Sequence, residues 1–553
     1  MGSHRDVGPG AFRERGQAVI LSAGLGTRIA IVAHGRPKAL VTAASRPALV
    51  TQLQQLHRSG VRRITVVNAL GDDRQLRPLV AQVFSGAELD VRFVVQDRPV
   101  GPLDALRRAA PHLVGDDVLL LLGDTLVDDL SALPPDSVGL GQVDEVREFC
   151  IARVYRTGRI GGYVDKPDRD SSSDHAVVGA YRFADAELLR ELLQDDATPV
   201  TGELSDLLER YGQQRPLTGV TVGWRDLGSY DRYITANRAA VRGRASHAFV
   251  IADDGSVVKS GERSLMATQA EWYRALPETA VELAPRLLGV GDGWYRVELL
   301  DYPNLAQLLL YELLPPRTWQ FLLTRLLEIT ERRLWAPTRR PDAALPVWCG
   351  RKYVTKTEHR LASWPRWGRL RGQRLTVNGV ELPCFDELWP AATKALHELS
   401  AAATHSCLIH GDMTFSNILL ARRYGTFKLL DPGTTFSNSP GGDVRYDLAK
   451  LRQCYAGGYD ALSEDLFSLE ESGPGRWELC VFPRTSPIAE IGDEILAAAG
   501  HSLDEVRLLE AVQFLSMVPL HHDSVERQLA LYARGLQLLT AAMEGTFHAL
   551  TPV

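Results

Sequence analysis

The sequence has few cysteines, no long apolar run and no excess of positive charge. Its six cysteines are spread over 553 residues without a C-x-x-C pair, so the sequence predicts neither a disulfide framework nor a cysteine-based zinc site. The longest tight apolar run, VLLLLG at 118–123, has the length of a buried strand and is far shorter than the roughly 20 residues that span a bilayer. The net charge of −6 gives no general attraction to nucleic acid or to an anionic membrane. We therefore expect no nucleic-acid partner and no membrane partner.

The opening segment, MGSHRDVGPG, is polar and lacks the apolar core of a signal peptide. Together with the sparse cysteines, which suit a reducing compartment, it favours a cytoplasmic protein with a disordered stretch at 1–15. Hydrophobic residues make up 45% of the chain and charged residues 24%, which is typical of a globular protein. The length predicts roughly two to four domains.

Residues 16–242 alternate short apolar runs with amphipathic stretches. Strands are predicted at AVILSAG (18–24), RITVVNA (63–69), VRFVVQD (91–97) and DVLLLLGDT (117–125), with helical spacing between them. Nearly continuous apolar strands separated by helices predict a doubly wound α/β fold, whose parallel sheet is covered on both faces. Because ligands bind at the carboxyl ends of such strands, the loops SAGLGTR and GDT are the candidate site.

The pattern changes near residue 242. HAFVIADDGSVVKS (247–260) predicts a β-hairpin, and WYRVELLD (294–301) predicts another strand. Long helical patterns follow at 317–334, 387–403 and 502–518. We therefore expect a second domain over 243–553, with a small β-rich part before a larger helical part.

The GLGTR turn is not a known dinucleotide or P-loop motif. It lacks the third glycine of G-x-G-x-x-G and the G-K-[ST] of a P-loop. It does offer backbone N–H groups at Gly24 and Gly26, followed by Arg28 and then Lys38. Amide donors and two cations suit a triphosphate whose leaving group is pyrophosphate. A glycine-rich turn with surface cations is the simpler alternative.

Further segments strengthen the functional interpretation. LSAGLGTR and RPKAL together resemble the signature of the sugar-phosphate nucleotidyltransferases, and the similarity continues to residue 230. That family has a Rossmann-like, GT-A-type fold. The resemblance implies nucleotide binding at Ser22, Ala23, Gly24, Gly26 and Thr27, with the base at Gln96 and Gly101. It also implies Mg²⁺ ligation by Asp124 (LLGDT) and Asp226 (WRDLGSY), and acceptor binding by Lys166 (VDKP), Gly179 (VGAYRF) and Glu203 (TGELSD).

Two positions depart from the family pattern. Pro102 and Leu103 replace the Thr-Ala pair that often follows the base-binding glycine, which leaves CTP, UTP, GTP and dTTP open as substrates. Ser229 replaces a threonine. A glycosyltransferase of the same architecture is the main competing interpretation, but it would not need the GLGTR and RPK pair.

The residue types fit nucleotidyl transfer. A phosphomonoester oxygen attacks the α-phosphorus of a nucleoside triphosphate, and both partners are anions. Mg²⁺ between Asp124 and Asp226 would bridge them, while Arg28 and Lys38, the candidate catalytic cations, stabilise the departing pyrophosphate.

The second domain contains LIHGDMTFSNILL (408–420). His410, Asp412 and Asn417 have the spacing of the kinase loop H-x-D-x-x-x-x-N, and Asp431 follows in FKLLDPG (427–433). In that template Asp412 and Asn417 are the catalytic residues: Asp412 accepts the alcohol proton, while Asn417 and Asp431 hold Mg²⁺. An accidental H-G-D turn is the alternative.

This stretch resembles the aminoglycoside phosphotransferase and choline kinase family, with the similarity strongest over 408–451. The family has a bilobal, protein-kinase-like α+β fold, which implies an N-lobe at about 243–312 and a C-lobe at about 313–553. By resemblance, Lys259 holds the ATP phosphates and Glu271 pairs with it. In GGDVRYDLAKL (441–451), Asp443 is expected to cap a helix and brace the catalytic loop.

The two domains together predict consecutive steps. The kinase-like domain would phosphorylate an alcohol with ATP, and the nucleotidyltransferase domain would couple the phosphomonoester to an NTP, with Mg²⁺ in both. A sugar is the favoured alcohol. An amino alcohol such as choline, a cyclitol, or a free phosphonate as acceptor is the alternative.

Other arrangements stay open at this point. The kinase-like domain could act independently on an antibiotic or a protein, or could only sense a metabolite. The partners are small-molecule alcohols and phosphomonoesters, and a homo-oligomer is compatible with the sequence.

Overall fold

A computed structural model describes most of the chain. The described residues are 16–24, 26–33, 36–43, 46–85, 87–143, 145–168, 175–195, 202–240, 247–252, 254–422, 425–433, 436, 440–482 and 487–545. The predicted disordered stretch 1–15 lies outside them. The chain divides into two compact units, which are 1–81 with 88–241 (unit 1) and 82–87 with 242–553 (unit 2).

Unit 1 alternates strands and helices along its length. Its strands are β1 (Gln17–Ser22), β2 (Thr42–Ala43), β3 (Arg46–Pro47), β4 (Arg63–Ala69), β5 (Asp90–Gln96), β6 (Val118–Leu122), β7 (Thr125–Val127), β8 (Ser137–Gln142), β9 (Cys150–Val154), β10 (Ile160–Asp165), β11 (His175–Phe183), β12 (Thr218–Thr221) and β13 (Trp224–Asp226). Its α-helices are α1 (Ala30–Ala33), α2 (Ala48–Arg58), α3 (Asp73–Val83), α4 (Pro102–Ala109), α5 (Ala186–Gln194), α6 (Leu204–Gln214) and α7 (Tyr230–Ala240).

The main sheet of unit 1 has the order β10-β9-β11-β6-β1-β4-β5, with β8 joined to β11 and β12 joined to β8. Its centre is parallel, because β1 pairs with both β4 and β6, and β4 pairs with β5. The strands β1 and β6 are almost wholly buried, as their continuous apolar runs predict. The predicted mixed α/β, Rossmann-like fold is therefore confirmed for the N-terminal part.

The chain order places a switch point between β1 and β6. From β1 the sheet grows through β4 and β5 on one side, and then continues with β6 on the other side of β1. The loops that follow β1 and β6 diverge from this point, which is where open α/β sheets bind ligands. The far side of the sheet is antiparallel, since β11 pairs with β6 and β8 in that orientation.

Unit 2 opens with an antiparallel sheet of order β14-β15-β17-β16 and continues with a helix-rich region. Its strands are β14 (His247–Ile251), β15 (Ser256–Gly261), β16 (Leu287–Gly291), β17 (Trp294–Glu298), β18 (Arg340–Pro341), β19 (Leu375–Val377), β20 (Val380–Leu382), β21 (His405–Leu408), β22 (Ile418–Ala421), β23 (Thr426–Leu429), β24 (Gly441–Gly442), β25 (Phe467–Gly473) and β26 (Arg476–Val481). Its α-helices are α8 (Arg263–Arg274), α9 (Leu305–Tyr311), α10 (Pro316–Thr330), α11 (Ala336–Thr338), α12 (Leu345–Gly350), α13 (Lys356–Ala362), α14 (Trp367–Leu370), α15 (Phe385–Ala401), α16 (Val444–Tyr455), α17 (Tyr459–Ser463), α18 (Ile488–Ala498), α19 (Leu503–Met517) and α20 (Val525–Glu544).

Two π-helical segments, Glu331–Trp335 and Arg351–Thr355, interrupt the helical region of unit 2. A hairpin of β25 and β26 was not predicted from the sequence. The kinase-like interpretation of residues 243–553 stays a prediction. Across the ranges that the structure describes, every helix is too short or too polar to cross a membrane.

Candidate active sites

The first candidate site is a cavity of about 390 Å³ at the switch point of unit 1. It gathers the residues that follow β1, the end of β5 and the loop after β6. All the unit 1 residues predicted to bind nucleotide line it, together with one catalytic cation and one metal ligand: Ser22, Ala23, Gly24, Gly26, Thr27, Gln96, Gly101, Lys38 and Asp124.

Glycines make this cavity sterically open. Gly26 has a φ of 61°, and a Cβ there would lie 3.3 Å from the Cβ of Lys38. Gly123, which the sequence analysis did not single out, donates its N–H to the Leu21 carbonyl, and a Cβ there would lie 2.9 Å from Ser22 Oγ. Because β1 and β6 end this close together, a larger residue at either position would fill the space beside the turn.

Gln96 is held in one orientation at the rim of the cavity. The residue is 3% exposed, and its Nε2 donates to the Gly101 carbonyl at 3.1 Å and to Asp104 Oδ2 at 2.8 Å. Arg108 Nε in turn donates to Asp104 Oδ2 at 3.0 Å. Asp104 and Arg108, which were missed in the sequence, therefore position the amide expected to meet the base.

The two carboxylates predicted to hold metal converge. Asp226 in β13 pairs with Thr125 in β7, the residue after Asp124, and Leu227 N donates to the Asp124 carbonyl at 2.9 Å. A Cβ on Gly228 would lie 2.8 Å from Asp226 Oδ1 and 3.1 Å from Asp124 Oδ2. Carboxylate oxygens of both residues therefore face one small space.

The electrostatics of this pair fit a divalent cation. Burial, followed by the charge of Asp124, raises the pKa of Asp226, while hydrogen bonding from Gly228 and the Arg232 guanidinium oppose the shift. A cation between the carboxylates would relieve their repulsion, and hard oxygen donors suit Mg²⁺. Within the described ranges, no cluster of three or more His, Cys, Asp or Glu side chains could hold a metal.

The two predicted catalytic cations differ in their surroundings. Lys38 is largely buried and forms an ion pair with Asp124. Arg28 is mostly exposed, and its Nη1 lies 3.6 Å from Glu148 Oε2. Lys38 is therefore fixed beside the carboxylate pair, whereas Arg28 lies at an open edge.

A second cavity of about 180 Å³ adjoins the first and shares Asp124 with it. Its lining includes Arg28, Asp226 and the predicted acceptor residues Lys166 and Glu203, whose Nζ and Oε1 are 3.1 Å apart. Asp124 therefore lies at the boundary of the two cavities, and Asp226 lines the second one.

Gly179 does not line this cleft. Its φ is 83°, and a Cβ there would lie 2.7 Å from Leu122 Cδ1, so the glycine allows β11 to pack closely on the end of β6. The neighbouring residues Val177 and Val178 line the cleft instead. The role of Gly179 in substrate binding stays a prediction.

Arg232 of α7 is a cleft residue that the sequence analysis missed. Its Nη1 donates to Asp226 Oδ2 at 2.6 Å, and its guanidinium also pairs with Glu148 and lies 4.2 Å over the Phe149 ring. Glu148 thereby links Arg232 to Arg28. No local motif marks these residues, because they meet only through the fold.

In unit 2 the predicted catalytic loop forms a connected cluster. Asn417 Nδ2 donates to Asp412 Oδ2 at 3.1 Å and to the Asp412 carbonyl at 2.9 Å. The ring of His410 is buried, and its Nε2 lies 2.8 Å from the Leu430 carbonyl, next to Asp431. The loop and the strand end are therefore held together.

Asp447, not Asp443, braces this loop. Asp447 accepts hydrogen bonds from the backbone N–H groups of His410 and Gly411, both at 2.7 Å. Asp443 caps α16 by accepting from Arg445 N at 3.0 Å, and it also accepts from the Tyr353 hydroxyl at 2.9 Å. The expected capping role of Asp443 is seen, while the bracing role belongs to the residue one turn later.

Lys259 reaches Asp431 from the neighbouring sheet. Lys259 in β15 is 1% exposed and forms an ion pair with Asp431, which has a φ of 55° after β23. Glu271, expected to pair with Lys259, is exposed on α8, and that pairing stays a prediction. The buried face of α8 carries Met266, Gln269 and Tyr273, and position 271 points away from that face.

Comparisons with known proteins concern the first unit. Residues 17–243 match the family model described as "Nucleotidyl transferase". The glucose-1-phosphate thymidylyltransferase of Streptomyces griseus is 28% identical over 238 residues, which are 40% of this chain and 65% of the relative. The CMP-5'-(3-aminopropyl)phosphonate synthase of Streptomyces rubellomurinus is 30% identical over 207 residues, which are 35% and 32% of the two chains. The structure of a UDP-glucose pyrophosphorylase from Acinetobacter baumannii aligns with a TM-score of 0.37 at 22% identity, over 41% of this chain and 93% of that one.

This chain thus spans just under two thirds of the length of the Streptomyces griseus relative. The family match confirms a nucleotidyltransferase domain in the N-terminal part of the chain, over residues 17–243.

Proposed function

We propose that the chain is a bifunctional enzyme in which unit 2 phosphorylates an alcohol with ATP and unit 1 joins the resulting phosphomonoester to a nucleoside triphosphate. The observation that carries the nucleotidyl-transfer step is the convergence of Asp124 and Asp226 where the two cavities of unit 1 adjoin. The products would be pyrophosphate and a nucleoside-diphosphate derivative of the alcohol.

Each group in unit 1 has a distinct task in this reaction. Asp124 and Asp226 would hold Mg²⁺, which would neutralise charge on the reacting phosphates. The turn after β1 presents backbone N–H groups to the triphosphate, and Lys38 and Arg28 stabilise the pyrophosphate that leaves. Lys166 binds the phosphate of the acceptor, whose oxygen attacks the α-phosphorus in line.

Features of the cleft and the names of the relatives support two candidate acceptor classes. Lys166, Glu203 and Arg28 give the cleft polar groups of both signs, which suits a phosphorylated polyhydroxyl compound such as a sugar 1-phosphate. The name of the Streptomyces griseus relative specifies glucose 1-phosphate and a thymidylyl group. The Streptomyces rubellomurinus relative instead names a CMP-linked phosphonate, so a phosphonate with CTP is the second candidate.

Phosphotransfer by unit 2 is supported by the cluster around Asp412. The Asp412 carboxylate would accept the proton of the attacking hydroxyl, and Asn417 and Asp431 would hold Mg²⁺. Lys259 is buried against Asp431, where its ammonium can meet ATP phosphates bound by that metal. A unit 2 that acts independently, or that only senses a metabolite, is the alternative.

Two variants separate the half-reactions. Asp226→Asn should abolish pyrophosphate release from sugar 1-phosphates or phosphonates with each of four NTPs, and should leave ADP formation from a free alcohol and ATP unchanged. Asp412→Asn should do the reverse, because a general base contributes about 10²–10⁴-fold. Asp231→Asn and Asp504→Asn, which alter exposed carboxylates of α7 and α19, are matched controls.

Loss of both activities in either variant would contradict the assignment of separate sites. Absence of any nucleotide product from the whole acceptor panel with the wild-type chain would contradict the proposed nucleotidyl transfer.

A further inference from the structure

Three lysines lie in the region of Asp412, the catalytic aspartate expected in unit 2. Lys352 lies in the π-helical segment, Lys356 begins α13 one turn later, and Lys450 lies in α16. Lys352 is 7% exposed and Lys450 is 5% exposed. Lys356 is only partly buried. Lysines are rarely buried unless paired, so this grouping is a candidate functional feature.

Their ammonium groups meet at one place. Lys450 Nζ lies 3.2 Å from Asp412 Oδ1. Lys356 Nζ donates to the Tyr446 hydroxyl at 3.1 Å, and the Nζ atoms of Lys352 and Lys356 lie 5.2 and 5.3 Å from the Tyr446 ring centroid. The three cations therefore form a basic cluster around Tyr446, and Lys450 lies directly beside the carboxylate that would receive the alcohol proton.

The surroundings perturb the titration of two of these lysines. Burial, followed by the charges of Arg360 and Lys450, lowers the pKa of Lys352 to about 7, and burial with the charge of Lys352 lowers the pKa of Lys356 well below its usual range. Asp412 and Asp447 oppose this repulsion. Burial raises the pKa of Asp447 to about 7, so near neutral pH it supplies less than a full negative charge.

Such a cluster weakens the folded state unless something compensates for it. Each buried ammonium loses hydration, and like charges at this separation repel. The rings of Tyr446 and Phe436 offset part of this cost through cation–π contacts. The Phe436 ring centroid is 5.4 Å from Lys352 Nζ. A bound anion would add a favourable interaction with these ammonium groups, and groups with perturbed titration in a structure concentrate at functional sites.

We propose that Lys352, Lys356 and Lys450 bind an anionic group of the alcohol substrate, such as a carboxylate, phosphate or phosphonate, and place its hydroxyl at Asp412. This inference rests on the proposed phosphotransfer and specifies its substrate class. It excludes a cationic amino alcohol, because a second ammonium group would add to the repulsion.

The reaction balances on this substrate. The hydroxyl oxygen forms a bond to the γ-phosphorus of ATP, the bond from that phosphorus to the β,γ-bridging oxygen breaks, and ADP leaves with that oxygen. The hydroxyl proton passes to Asp412. The product carries the original anion and one new phosphomonoester.

The test uses the full-length chain with Mg²⁺ and small alcohols matched in size but not in charge. The anions are 2-hydroxyethylphosphonate and D-glycerate, the neutral alcohols are ethylene glycol and glycerol, and the cations are choline and ethanolamine. ADP formation gives kcat/KM, and calorimetry with a non-hydrolysable ATP analogue gives Kd. We expect the best anion to exceed every neutral and cationic alcohol by at least about tenfold in kcat/KM, as a charge-assisted contact predicts.

The lysine variants test the location of the site. Lys356→Met should reduce this preference for anions by about 10–100-fold, mainly through KM, and Lys356→Gln should do the same. Lys394→Met, on an exposed stretch of α15, should leave the preference unchanged. Removal of one cation relieves repulsion, so the Lys356 variants should retain the wild-type Tm. A retained Tm would show that the loss of preference is not a failure to fold.

The outcomes separate this inference from the phosphotransfer on which it rests. A preference for neutral or cationic alcohols, or an anion preference that Lys356→Met leaves intact, overturns the inference and leaves phosphotransfer standing. Binding of the ATP analogue without binding of any anionic alcohol overturns it as well. Binding of the ATP analogue that Lys259→Met does not weaken overturns phosphotransfer itself, and the inference falls with it.

Discussion

Gly228→Ala is the most specific perturbation of the carboxylate pair in unit 1. The added Cβ would lie 2.8 Å from Asp226 Oδ1, whereas carbon and oxygen atoms in close contact are about 3.3 Å or more apart. The carboxylate must therefore move by roughly 0.5 Å. It also accepts a hydrogen bond from Gly228 N at 2.6 Å, and this bond would be distorted.

The expected loss follows from this displacement. Misplacement of reacting groups by 1 Å costs about 100-fold in rate, so a shift of half that size should lower kcat/KM for nucleotidyl transfer by about tenfold and raise the Mg²⁺ concentration needed. The fold should not suffer. Gly228 is not among the glycines with positive φ, and alanine at such a position changes stability by only about 1 kcal/mol or less.

The assay is pyrophosphate release with a sugar 1-phosphate and an NTP across a Mg²⁺ titration. Gly212→Ala in α6 is the matched control, because its Cβ would lie 3.9 Å from the nearest heavy atom, Leu217 Cδ1. It should retain full activity and gain stability from the better helix former. Wild-type kcat/KM and Mg²⁺ dependence in Gly228→Ala would refute the reasoning that both carboxylates must face one cation.

Three further predictions concern unit 2 and the metal. Lys352→Met should raise the free energy of unfolding at pH 7, because burial lowers the pKa of the lysine to about 7. Between pH 7 and about 10.4, the wild-type chain binds fewer protons when folded than when unfolded, so its free energy of unfolding should rise with pH. The variant should lack that rise. Urea unfolding at pH 7 and 9.5 measures both effects, and a variant less stable than wild type at pH 7 would contradict the prediction. Asp447→Asn leaves one oxygen to accept from two N–H groups, so it should cost about 1–3 kcal/mol and slow ADP formation, whereas unchanged kinetics would show that the loop does not need this brace. Chelation by EDTA should stop both reactions with the circular dichroism spectrum unchanged, and activity that survives chelation would rule out Mg²⁺ at both sites.

The strand ends of unit 1 were readable from the sequence because the signals there are local. Apolar runs predict the buried strands β1 and β6. The turn after β1 needs a glycine at position 26, because the backbone there has a positive φ and a Cβ would crowd Lys38. Once the fold is a parallel sheet, the carboxyl ends of these strands must adjoin. The gathering of the predicted nucleotide-binding residues in one cavity follows from those two facts.

Contacts between distant segments were not readable in this way. Arg232 on α7 pairs with Asp226 and Glu148, which lie elsewhere in the sequence. Lys450 on α16 pairs with Asp412 in the loop after β21. Neither residue stands in a motif. Their roles depend on pairings that composition and spacing do not encode.

The helix phase decided the remaining differences. Glu271 was expected to face Lys259, but the buried residues of α8 place it on the exposed face. Asp443 and Asp447 lie one turn apart, so the sequence could not tell which one reaches the catalytic loop. Asp443 caps α16, whereas Asp447, one helical turn later, accepts the hydrogen bonds from the catalytic loop.

The most direct test of the account follows one phosphoryl group through both units. The full-length chain is incubated with a free alcohol, ATP carrying ¹⁸O on its γ-phosphoryl oxygens, a second NTP and Mg²⁺, and the nucleotide products are analysed by mass spectrometry. Consecutive phosphotransfer and nucleotidyl transfer should give a nucleoside-diphosphate product that carries the label in the phosphoryl group attached to the alcohol. An unlabelled product, or a product that forms only from added phosphomonoester, would contradict it.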